Sequence, residues 1–112
     1  MDLVLYSHRD MSLHRPRASH PERPERLDAV LGALEAAPGL NLDRREAPRA
    51  AVADLALVHD PAFIAAVEKS VPASGVAYLD PDTQVSPGSL GAALRAAGGP
   101  TEAARAVARG EA

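Results

Sequence analysis

The chain has 112 residues and a mass of 11.6 kDa, room for one small domain with a single core. With 46% apolar, 24% charged and only 3% aromatic residues, it reads as an ordered globular protein whose core must come from Leu, Val and Ala. A net charge of −3 excludes a strongly basic nucleic-acid binder, and the lack of cysteine excludes a disulfide scaffold, a Cys-ligated zinc finger and a Cys nucleophile.

Leu3–Tyr6 is a continuous apolar run, which predicts a strand covered on both faces, as in a parallel sheet. Residues 7–21 hold His8, His14 and His20 among Pro and Arg with no apolar period, and read as a loop. Residues 24–36 place Leu27, Val30, Leu31 and Leu34 on one stripe, the spacing of a helix that Pro38-Gly39 then stops. Leu40 and Leu42 alternate with polar neighbours, a weak strand over 40–47. Two helices are expected over 50–59 and 61–70, the second with Asp60 as N-cap and Pro61 at its first position. Residues 71–87 read as a loop. Ser86 is expected to cap a last helix, which Pro100 should kink or break because it offers no N–H to the ladder. The expected chain is thus α/β and mostly helical, with about two short strands. Two strands rarely make a stable sheet alone, so residues 1–112 are expected to belong to a larger whole.

Four constellations could carry chemistry. His8, His14 and His20 could ligate zinc, but their spacing of six is not a helical period, and they read first as loop histidines bonded to neighbouring backbone. Arg23 and Arg26 lie on one side of a first helical turn, where solvation of the helix end competes with capture of a carboxylate. Asp80 and Asp82 could accept hydrogen bonds from a ligand or share a cation; the plainer reading is an Asx-type turn before a helix. His59-Asp60 reads as a helix-junction pair, because no Ser nucleophile elbow accompanies it.

Three segments, in order, carry a resemblance. His20-Pro-Glu-Arg-Pro-Glu-Arg-Leu27 resembles the N-terminal signature of the histone deacetylase family, which includes deacetylase-like amidohydrolases and acetoin-utilisation proteins. Residues 57–67, beginning Leu-Val-His-Asp-Pro, resemble its helix junction, and residues 79–89, Leu-Asp-Pro-Asp-Thr-Gln-Val-Ser-Pro-Gly-Ser, its Asp-Thr loop. The resemblance implies an arginase-like three-layer domain around a parallel sheet. It also implies zinc-dependent hydrolysis of acetyl-lysine or a related N-acetyl amide.

By the same resemblance Asp82, with Asp80 as the alternative, accepts hydrogen bonds from substrate N–H groups at the rim of the active-site tunnel. Arg26 lines an internal cavity beneath the site, and His14, His20 and Arg23 are rim or structural residues. The family's paired His and its Asp-x-His zinc motif do not occur in the sequence. Residues 1–112 are therefore expected to be the N-terminal segment of a single incomplete domain, without catalytic residues or zinc ligands and inactive alone. Its expected partners are the remainder of that domain and the acetylated substrate, with no nucleic acid and no membrane, in the cytoplasm. The alternatives are a stand-alone helical binding module and one half of a split deacetylase.

Overall fold

In the computed structural model, which describes residues 2–112, the first apolar run forms strand β1 (Asp2–Ser7). It is followed by a 3-10 turn (Arg9–Leu13), helix α1 (Glu25–Ala36) and strand β2 (Asn41–Glu46). β1 and β2 pair in parallel, in register from Asp2 opposite Asn41 to Ser7 opposite Glu46, with α1 as the crossover between them. A short helix α2 (Val52–Leu55) and helix α3 (Pro61–Ser70) lead to an antiparallel hairpin, β3 (Ala77–Asp80) and β4 (Thr83–Val85). Helix α4 (Ser89–Ala108) closes the order and lies against β1 and the 3-10 turn.

Several expectations are corrected. Residues 71–87 are not all loop: Ala77 pairs with Val85 and Tyr78 with Gln84, the register shifting before the Asp80–Thr83 turn. Strands of four and three residues around Pro81 are too short to show an alternating pattern. The described residues thus hold four strands, not two. The helix expected over 50–59 shrinks to Val52–Leu55 and continues as turns to His59. Asp60, by contrast, caps α3 as expected, accepting the Ala62 N–H at 2.7 Å.

The last helix runs unbroken through Pro100. Pro100 faces solvent, and so does Ala96, whose carbonyl lacks its usual helical donor and can be hydrated instead. The N-cap position belongs to Gly88, which offers no side chain. Ser86 instead spends its hydroxyl on the loop of residues 13–15.

Gly98 sits where another segment crosses the helix closely. A Cβ there would lie 1.9 Å from the Pro48 carbonyl oxygen and 2.8 Å from the Ala50 nitrogen. Only a bare backbone lets the segment after β2 cross α4 so closely, and the Ala50 N–H donates to the Leu94 carbonyl at 2.9 Å at this crossing. Ala47, fully buried, lies against the neighbouring Gly99.

Among the described residues the buried apolar ones are Ala47, Val85, Ala92 and Ala106. No β1 residue is buried, so the expectation of a strand covered on both faces is not met by the described residues. The surface of 7299 Å² is about a quarter larger than the ~5,800 Å² typical of this mass. Leu57, Val58 and Phe63 stand more than half exposed. No helix among the described residues is long and apolar enough to cross a membrane.

Candidate functional site

The loop from Leu13 to His20 and the hairpin-to-helix segment from Asp80 to Ser89 are far apart in sequence and are stitched together side by side. The Arg15 N–H donates to Ser86 Oγ at 2.9 Å, and the Arg17 N–H donates to Gln84 Oε1 at 2.9 Å. His14 Nδ1 lies 2.7 Å from Ser89 Oγ, which also accepts the Ser86 N–H at 2.7 Å. Gln84, Ser86 and Ser89 are all buried, so these contacts are partly shielded from water. Loops held this way present their outer side chains in fixed positions.

His20 joins the two segments at their outer end. Its Nδ1 accepts the Glu22 N–H at 3.1 Å, which leaves the ring proton on Nε2 in the neutral form. Nε2 then donates to the Asp82 carbonyl oxygen at 3.1 Å. Glu22 also reaches back, its carboxylate 3.4 Å from His14 Nε2.

The two aspartates differ in what they hold. Asp80 accepts the Asp82 N–H at 2.8 Å on one oxygen and the Thr83 hydroxyl at 2.9 Å on the other. Those two bonds hold its carboxyl below the usual carboxylate range, the Asp82 N–H contributing most. The Asp82 carboxylate is exposed and makes no hydrogen bond or ion pair with any described residue. Asp80 therefore shapes the turn, and Asp82 is the carboxylate that the turn presents.

Arg26 is exposed in the first turn of α1, and Arg23 stands beside it at the helix start. Arg23 lines a cleft of about 510 Å³ together with Arg15, Arg17 and the first turn of α1. On the other side of the rim, an apolar hollow of about 460 Å³ reaches from Met11 and His14 to Leu27, Val67 and Leu90.

The three loop histidines do not converge. His8 accepts the Asp10 N–H at Nδ1 and faces Glu46 at 3.0 Å, while His14 and His20 serve the rim. No group of three or more His, Asp or Glu side chains among the described residues could hold a metal ion. The donors present do not fit the zinc that the resemblance implies. His59 stacks near Phe63 at 5.4 Å between ring centres, and Asp60 is spent on its cap.

Sequence reasoning missed Gln84, Ser86 and Ser89 as anchors of the rim. The Ser-Pro-Gly-Ser spacing was legible only as a helix start. Nothing local shows that its hydroxyls face a loop some seventy residues earlier.

Residues 20–112 match the family model described as the histone deacetylase domain. The chain belongs to the histone deacetylase family. The match begins at His20, so the His20–Asp82 contact and the Asp80–Thr83 turn both lie within the matched deacetylase residues, while His14 and Arg17 lie just before them. Among curated proteins, none matches the chain.

Proposed function

We propose that this chain is the N-terminal part of a zinc-dependent deacetylase domain of the arginase-like fold, and that it supplies the rim that orients an N-acetyl amide substrate. The observation that carries this reading is the division of labour between the two aspartates. Asp80 is engaged by the turn on both oxygens, while the Asp82 carboxylate is exposed and uncommitted on a backbone held by His20. An ionised carboxylate accepts N–H bonds strongly, so Asp82 can hold two backbone amides of an acetyl-lysine peptide and fix the reach of its side chain. Zinc would be held by ligands from another segment, where it would supply polarisation of the acetyl carbonyl.

The large exposed surface and the small buried core favour a chain that packs against further strands and helices over a self-sufficient binding module. Arg26, exposed in this chain, is assigned to a cavity that those further elements would enclose.

The test is co-expression with a polypeptide carrying the family's paired-His and Asp-x-His motifs. Hydrolysis of an acetyl-lysine peptide should appear only in the complex, and Asp82→Asn should lower its kcat/KM by about tenfold or more, the worth of one hydrogen bond to a charged group. Hydrolysis by the chain alone, or a complex indifferent to Asp82→Asn, would defeat the proposal.

A further inference from the structure

Three arginines open into one cleft beside the rim, and none is ion-paired with a described carboxylate. Arg15, Arg17 and Arg23 line the hollow of about 510 Å³ at the start of α1. No carboxylate among the described residues forms an ion pair with any of the three. Arg15 Nε donates only to the Ser12 carbonyl at 3.3 Å, and the Arg17 guanidinium sits over the Tyr78 ring at 5.7 Å. The backbone N–H groups of Arg15 and Arg17 are fastened to Ser86 and Gln84, so both side chains project from fixed points.

Glu25 and Asp28 also line the cleft, leaving a formal excess of one positive charge. That excess suits one anionic group rather than a polyanion. The planar fork of a guanidinium matches a carboxylate in particular. The cleft also adjoins the candidate substrate rim. Tyr78 and Gln84 belong to the hairpin that presents Asp82, and Arg17 lies three residues before His20, which holds the Asp82 carbonyl.

We infer that this cleft is a subsite for a carboxylate carried by the same molecule as the acetamide, making the preferred substrate an acidic N-acetyl compound. The inference rests on the proposed role of Asp82 only for the acetamide end; the anion end stands on the arginines. The carboxylate comes either from an acidic side chain flanking acetyl-lysine or from the α-carboxylate of a small N-acetyl amino acid.

The experiment measures binding to the metal-free complex of the chain with the co-expressed polypeptide by fluorescence anisotropy. Four labelled peptides are used, with acetyl-lysine or lysine at the centre and flanking Glu or Gln. Free acetyl-lysine and its α-amide serve as competitors. The acidic acetylated peptide should bind best. Each of Arg15→Gln, Arg17→Gln and Arg23→Gln should weaken it about threefold, as expected for partly exposed charge pairs. All three sites are exposed, so the fold should survive, and Arg9→Gln, which removes the same charge outside the cleft, should leave binding unchanged.

A Glu preference abolished by the triple variant supports the subsite. Competition by free acetyl-lysine but not by its amide assigns the carboxylate to a small substrate, and indifference between them to a peptide. Equal binding of Glu and Gln peptides, a Glu preference that survives the triple variant, or no binding at all overturns the inference. Dependence on Glu without dependence on acetylation leaves the subsite standing and defeats the acetamide reading instead.

Discussion

His20 Nε2 donates to the carbonyl oxygen of Asp82 at 3.1 Å, across 62 residues of sequence. The bond fixes the peptide unit that follows the Asp80 turn and so the direction in which Asp82 leaves the backbone. His20→Ala should free this unit without disturbing the Asp80 bonds. The expected result is faster amide exchange confined to residues near 82–84 and weaker binding of an acetyl-lysine peptide. A variant with unaltered exchange would show that the histidine does not hold the loop.

The Asp80 carboxyl titrates below its ordinary value of about 3.9, because the Asp82 N–H and Thr83 hydroxyl bond its charged form. A depressed folded-state pKa means that the turn's contribution is present above the unfolded value and is lost as pH falls through the folded one. The hairpin should therefore be intact at pH 5 and loosen only in strong acid. Following the Thr83 amide by NMR during acid titration checks this, and Asp80→Asn should remove the transition.

Ser89 links His14 to the Ser86 N–H inside a partly buried network. Ser89→Ala leaves the Ser86 N–H and one histidine nitrogen without partners, at a cost of about 1–3 kcal/mol. Thermal denaturation should show the loss. Ser12→Ala, nearer the surface and with no side-chain bond among the described residues, should show almost none.

Two glycines predict opposite outcomes. Gly98→Ala drives a methyl into the Pro48 carbonyl and should destabilise by about 3 kcal/mol or more. Gly32→Ala, in α1 with nothing within 4 Å of the new carbon, should stabilise by about 0.5–1 kcal/mol. Chemical denaturation of the two variants measures both signs.

Much of this architecture was legible in the residues. The stripe from Leu27 to Leu34, the Asp60-Pro61 start of α3 and the two parallel strands all appear close to where periodicity and turn chemistry put them. What stayed hidden depends on distant partners. The β3·β4 hairpin has strands too short for a pattern, and Pro100 is tolerated because its face of α4 meets solvent. The role of Gly98 stayed hidden because the segment that crosses it lies half a chain away. In the candidate site, the pair Asp80 and Asp82 could be named but not told apart. The bonds that separate their roles depend on the path of the turn.

The fastening of the rim loop to α4 also has a temporal meaning. His14 and Ser89 are 75 residues apart, so closing that contact requires the intervening chain to be ordered or looped out. During synthesis the rim stays open until the ribosome has released the start of α4. Its assembly is then a late, non-local step in folding, slower than the local helices that precede it.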